Sequence, residues 1–221
     1  MANTKYKLIP EDYKEIGGKK LYRIEALKDF GDIKAGDLGG YIESEDNLSH
    51  YGNAWVYDNA CVRDNARVRD NAKVRDNACV RDNASVGDNA WVYDNACVRD
   101  NASVGDNAWV GGNACVYGYA WVRDNASVRD NASVRGNACI RGDASWLTVG
   151  PIGSRDDFTT FVATADGKIH VSCGCFSGNI DEFEKAVEKT HAGTKHEKDY
   201  KLAIALTKSR IVTAEVDKDE I

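Results

Sequence analysis

From Ala54 to Asp143 the chain repeats one six-residue phrase, Ala-x-Val-x-Asp-Asn, fifteen times without an insertion. Each copy is too short to bury an apolar face alone, so a strict period of this kind calls for stacked coils that bury their faces against one another. Ala and Val sit two apart, as at Ala60 and Val62. On an extended strand they point to one side, and the residue between them points to the other. Ala and Val are therefore expected inside, with Cys61 and Arg63 outside. The Asp-Asn pair ends each short strand, and Asn is the residue expected to take left-handed backbone angles at the corner.

Three strands and three corners make a triangular coil of 18 residues, and the outward positions test that period independently. Stepped by 18, one column reads Cys61, Cys79, Cys97, Cys115, Ser133. A second reads Trp55, Lys73, Trp91, Trp109, Ser127, Ser145, and a third Arg67, Ser85, Ser103, Trp121, Cys139. The core does not dictate these residues, yet four of the five coil cysteines fall in one column. Fifteen hexads then make five coils. Adjacent ladder cysteines would lie one strand spacing apart, and their parallel Cβ directions suit stacked free thiols better than disulfides.

The aliphatic residue followed four positions later by a small one resembles the hexapeptide signature of left-handed parallel β-helices. Upstream, YRIEALKDFGDIKAGDLGGYIESEDNLSHYGNAWVYDNA resembles the opening of the YdcK-type β-solenoid proteins and their phage-encoded relatives. The resemblance rests on the Asp29-Phe30 turn, Lys34-Ala35-Gly36, Gly39-Gly40, Leu48-Ser49 and Trp55-Val56-Tyr57-Asp58. It implies a left-handed parallel β-helix of five 18-residue coils and, by family habit, a homotrimer. That family is labelled transferase largely on its repeat, so an acyltransferase is one implied activity. An acyltransferase of this type uses a His base, often beside a loop that leaves the coil. Here no hexad is interrupted and the coil holds no His, leaving only His50 at its edge.

The flanks complete a mainly β architecture. Residues 1–47 read as an N-terminal segment and β cap, 48–146 as the β-helix, and 147–221 as a small C-terminal α+β domain. Trp146 occupies a slot where Val belongs and would plug the last coil. Phe158–Thr164 and Lys168–Ser172 flank Asp166-Gly167, a hairpin signal. Asn179 can cap a helix with Ile180, Phe183 and Val187 on one face, and a second helical run covers about 197–213.

The three solenoid faces differ. Arg63, Arg81 and Arg99 line the cysteine face, either as an anion-binding stripe or as partners of the corner aspartates Asp64, Asp82 and Asp100. The coil carries ten Arg and one Lys against twelve Asp, a balance that favours pairing. Trp55, Tyr57, Trp91, Tyr93 and Trp109 make an aromatic face suited to self-association, to docking of a terminal segment, or to stacking of a flat ligand. In the C-terminal domain, Ser154 and Arg155 of Gly150-Pro-Ile-Gly-Ser-Arg155 are candidate anion-binding residues. Cys173 and Cys175, with His170, His191 and His196, have ligand chemistry but not the usual metal spacing, and the two cysteines read as core residues.

A net charge of −6 argues against binding along a nucleic-acid backbone. There is neither a signal-peptide pattern at the N-terminus nor an apolar run of membrane length, so no membrane partner is expected, and the odd count of seven cysteines reads as reduced thiols in a cytoplasmic setting. No Thr-x-Thr row for ice binding and no uncompensated carboxylate row for DNA mimicry is present. The reading is a non-enzymatic binding or scaffold protein, phage or prophage encoded, with no catalytic residues, metal or cofactor. Its partners would be its own copies, a host protein or a small anionic ligand. The alternatives are a viral anti-defence inhibitor that sequesters a host factor or nucleotide signal, and a hexapeptide-repeat acyltransferase.

Overall fold

A computed structural model describes residues 4–136, 138–141, 146–164 and 167–211. Strands β1 (Tyr6–Ile16), β2 (Lys19–Ala26) and β3 (Leu38–Ile42) come first. Fifteen two-residue rungs follow, β4 (Trp55–Val56) through β18 (Cys139–Ile140), one per hexad. The C-terminal region holds β19 (Trp146–Ile152), β20 (Asp157–Ala163), β21 (Ile169–Cys173), β22 (Phe176–Asn179), α1 (Ile180–His191) and α2 (Lys195–Arg210).

The rungs stack in parallel into a three-faced solenoid of about 6 turns. Each rung pairs with the one 18 residues later, as in Cys61↔Cys79↔Cys97↔Cys115, Trp91↔Trp109 and Ser103↔Trp121. Ala and Val of every hexad form the interior and are fully buried, with Ile140 in the last Val slot. The additional turn precedes the hexads. Tyr41 and Ile42 of β3 pair in parallel with Cys61 and Val62, and Leu48 bridges Val68.

The Asp-Asn corners work differently from the expectation. The left-handed residue is the Asp, with φ between 50° and 62° at eleven hexad positions from Asp58 to Asp130, and no described Asn adopts it. Gly112, Gly118 and Gly136 stand in the same Asp slot, also at positive φ. Two hydrogen-bond ladders explain the order of the pair. Each Asp carboxylate accepts the corner amide of the next coil, as in Asp100 N–H to Asp82 Oδ2 at 3.2 Å and Gly118 N–H to Asp100 Oδ2 at 3.1 Å. Most Asn side chains donate their amide to the Asn 18 residues on, as in Asn71 to Asn89 at 3.1 Å and Asn89 to Asn107 at 3.2 Å. A short acceptor at the left-handed position reaches the amide stacked against it, while Asn, outside that conformation, builds an amide column.

An open coil end exposes unpaired carbonyls, and the N-terminal segment supplies donors for them. Tyr41 N–H reaches Ala60 O at 2.9 Å, and Ser49 N–H reaches Val68 O at 2.9 Å. The buried amide of Asn47 donates to Asp64 O at 3.0 Å and Ala66 O at 2.9 Å. Lys5, 1% exposed, donates from Nζ to Ala54 O at 2.7 Å. Burial, with Lys28 adding a like charge, brings the Lys5 ammonium pKa down to about 8. The long β1–β2 hairpin extends the cysteine-face sheet as antiparallel strands beyond β3. Its register carries a bulge and no clean alternation, which hid β1 from a pattern reading.

At the other end, the antiparallel meander β19-β20-β21-β22 sits on the last coil. Val162 joins the solenoid core and Trp146 packs against it, so Trp146 does close the coil, from the first residue of β19. Arg135 bridges the two parts, donating from Nε to Ser172 Oγ at 2.9 Å and from its terminal nitrogen to Phe176 O. Asn179 caps α1, with reciprocal bonds to Glu182 at 2.9 Å. Ile180, Phe183 and Val187 are buried as expected. In α2, Tyr200, Ala203, Ile204 and Thr207 are buried while Leu202 and Leu206 face outward. Ser145, Asp166 and residues 212–213 lie outside the described residues.

Candidate functional site

The aromatic face divides into a covered half and an open half. Trp55 is only 1% exposed, enclosed by Tyr6 and Phe30 of the cap at centroid separations of 6.2 and 5.4 Å. The Tyr57 hydroxyl faces both carboxylate oxygens of Asp32 at 3.3 Å, and the Lys73 ammonium joins the same carboxylate at 3.1 Å. For Trp55 and Tyr57, docking of the terminal segment is what the fold shows. Trp91 and Trp109 remain as a parallel stack, 5.1 Å between centroids and 6° apart, with Trp109 45% exposed. The Tyr93 ring meets Trp109 edge-on at 6.0 Å and lies where a side chain at Gly111 would project, which accounts for glycine there.

The arginines of the cysteine face are paired. Arg63 meets Asp64 at 2.7 Å, Arg81 meets Asp82 at 2.8 Å, and Arg99 meets Asp100 at 3.3 Å while covering the Tyr117 ring at 4.2 Å. Their charge is answered within the coil, so an anion-binding stripe of free guanidinium groups does not form.

In the C-terminal domain, two segments that sequence reasoning treated separately come together. The Gly153-Ser154-Arg155 turn after β19 faces the Cys173-Gly174-Cys175 turn between β21 and β22. Gly174 has φ +55°, and Arg155 Nη1 lies 3.1 Å from where a Cβ would stand. The outer nitrogen of Arg155 reaches Cys175 Sγ at 3.8 Å. Gly153, at φ +78°, leaves its side-chain space to the Tyr200 hydroxyl. Behind these turns lies a cleft of about 270 Å³. Phe176, Phe183 and Val187 give it an apolar floor; Ser154, Arg155, Asp157, Thr190, His191 and Tyr200 line its polar side.

The inner wall is tied down. The Thr159 hydroxyl donates to Cys173 Sγ at 3.1 Å, and Cys173 in turn contacts Tyr200 Oη at 3.7 Å. Burial, followed by the Cys173 contact, pushes the Tyr200 phenol above its ordinary range, so it stays a neutral hydroxyl. Arg155 has no carboxylate within ion-pair distance among the described residues, in contrast to Arg63, Arg81 and Arg99. No family model matches the chain, and neither does any curated protein.

Of the remaining candidates, His191 lines the cleft and Cys175 is exposed rather than in the core. His50 accepts the Lys5 amide at Nδ1, 3.2 Å away, and stacks on Tyr6 at 4.3 Å, so its ring belongs to the cap. His170 meets Ser177 Oγ at 3.0 Å, while His191 and His196 pack edge-to-face at 5.9 Å. Among the described residues no three His, Cys, Asp or Glu side chains converge as a metal cluster. The signal that could have located the cleft was the pair of glycines, Gly153, which leaves room for Tyr200 of α2, and Gly174, which leaves room for Arg155.

Proposed function

We propose that this protein is a non-enzymatic binding scaffold, in which the solenoid is a rigid spacer and the C-terminal cleft takes a small anionic ligand with a flat apolar part. The observation that carries the reading is Arg155, a guanidinium without a carboxylate partner among the described residues, at the mouth of a cleft floored by phenylalanines. Such a cleft combines orientation by a few polar groups with burial of apolar surface. The anionic end would meet Arg155 and Ser154, and the flat part would lie against Phe176 and Phe183. The resemblance to phage-encoded YdcK-type solenoids supports a phage or prophage origin, and sequestration of a nucleotide signal is the specific form of binding that fits such an origin.

A thermal-shift screen with mononucleotides, cyclic nucleotides, ADP-ribose, aryl carboxylates and acetyl-CoA tests this reading. A ligand present at a hundred times its Kd adds about 2.7 kcal/mol, or roughly 5–10 °C for a chain of this size. Stabilisation by an anionic ligand that disappears in Arg155→Ala supports the cleft. Stabilisation that survives Arg155→Ala, or silence from every anion, removes it.

The open half of the aromatic face supports a second element of the proposal, self-association as a trimer. A Trp stack in water is a large apolar surface of the type interfaces use. Light scattering should return three times the chain mass, and Trp91→Ser with Trp109→Ser should lower it. A monomeric wild type would end that part of the proposal.

A further inference from the structure

The cysteine column on the first solenoid face has no role in the binding reading above. Cys61, Cys79, Cys97 and Cys115 are unbonded and occupy four consecutive rungs in register. Cys61 is buried, and the other three are half-buried. Leu21 and Tyr41 close the upper end. The Arg81 and Arg99 guanidinium groups stand on the same face, on rungs of the same column.

The spacing of this ladder is chemically selective. Neighbouring strands lie about 4.7–4.9 Å apart. Two linear metal–thiolate bonds, each somewhat shorter than the about 2.3 Å of tetrahedral zinc–thiolate, span a little under about 4.6 Å, so the sulfurs of adjacent rungs need lean only slightly together. A sulfur ladder at strand spacing therefore matches a linear dithiolate, the arrangement favoured by soft monovalent d¹⁰ ions. Because no three ligands converge among the described residues, an ion that requires three or four finds no site on this ladder. Soft sulfur ligands favour copper(I) over the harder divalent ions.

We infer that the ladder binds copper(I)-class ions, each held linearly between cysteines of adjacent rungs, with Cys61–Cys79 and Cys97–Cys115 as two non-overlapping sites. Binding converts two thiols and one monovalent cation into a dithiolate complex of charge −1, with the displaced protons going to solvent. No electron is transferred. The resulting anion lies on the face that carries Arg81 and Arg99, which keep their pairs with Asp82 and Asp100.

The test compares two double variants that retain the same number of ladder cysteines. Both are made in a Cys173→Ser, Cys175→Ser background, which removes the C-terminal thiols. Cys61→Ser with Cys115→Ser leaves the adjacent pair 79 and 97. Cys79→Ser with Cys97→Ser leaves 61 and 115, three rungs apart. Serine already occupies this slot at Ser85, Ser103, Ser127 and Ser133, so the coil accepts it. Copper(I) is supplied anaerobically under a phosphine reductant, in competition with a colorimetric copper(I) chelator.

The background protein should hold two equivalents, the adjacent-pair variant one, and the separated-pair variant none. Affinity in the separated pair should fall at least about a hundredfold, because one ion can no longer be chelated by two sulfurs. Zinc(II) should not compete. Equal retention by the two double variants, loss of all copper to the chelator from the background protein, or displacement by equimolar zinc(II) would each overturn the inference. Circular dichroism of each variant shows whether the solenoid is intact before titration.

Discussion

If Asp rather than Asn turns each corner, glycine should be tolerated at one position and costly at its neighbour. Asp100 sits at φ 59°, and the residue one coil further, Gly118, is already glycine in the same conformation. The Asp100 carboxylate accepts Gly118 N–H at 3.1 Å and pairs with Arg99 at 3.3 Å, with 37% side-chain exposure. Losing that acceptor costs about 1 kcal/mol after screening by solvent. Placing Ala in the left-handed region costs about a further 1 kcal/mol, whereas Gly enters it freely. Asp100→Ala is therefore destabilised by about 2 kcal/mol and Asp100→Gly by about 1 kcal/mol. Asn101→Gly loses the bond from Asn83 at 3.2 Å. It also frees the unfolded chain without relieving any left-handed residue, for a total of about 1.5–2 kcal/mol. In melting temperature, Asp100→Gly should drop by roughly 2–4 °C, while the other two drop by roughly 3–8 °C. Differential scanning calorimetry of the purified variants reads this directly. A melt in which Asn101→Gly is the mildest of the three would refute the assignment of the corner.

Two further outcomes follow from the capped ends. Lys5 has a folded pKa of about 8, below the 10.5 of a free lysine, so between those values the unfolded chain holds a proton that the folded chain lacks, and stability rises with pH across that window. From pH 7.5 to 9.5 wild type should gain about 2 kcal/mol more than Lys5→Met in urea unfolding; parallel curves for the two proteins would show that Lys5 is not buried at the coil end. Arg135→Ala should loosen the C-terminal domain by about 1–3 kcal/mol through loss of the bonds to Ser172 and Phe176, seen as faster proteolysis after the last coil with the solenoid melt retained. Burial first, then the Arg135 charge, lowers the His170 pKa, so the same variant should raise it in an NMR titration. An unmoved His170 would contradict the placement of Arg135.

The shape of the solenoid was legible because a period-18 stack repeats one local decision. Inward Ala and Val, outward x, and pairing of each residue with its counterpart three hexads on all follow from strand alternation and hexad length. The columns Cys61–Cys115 and Trp91–Trp109 stand as the spacing predicted. The corner residue was less legible, since Asp and Asn both tolerate left-handed angles. The choice between them depends on which side chain reaches the next coil. The replacement of Asp by Gly at 112, 118 and 136 was the available clue, and it points to the Asp slot.

What only the tertiary structure decided are the meetings of residues distant in sequence with no shared period. Asp32 reaches Tyr57 and Lys73, Phe30 covers Trp55, and Lys5 serves the carbonyl of Ala54, so half of an apparently exposed aromatic face is interior to the cap. In the same way Arg155 lies over Gly174 only because a meander brings two turns together. The hexad determined by itself how the chain coils and which side chains form each ladder, because its interactions recur at a fixed separation along the chain. The closure of its ends, and the cleft behind the last coil, depend on single long-range contacts that no local pattern encodes.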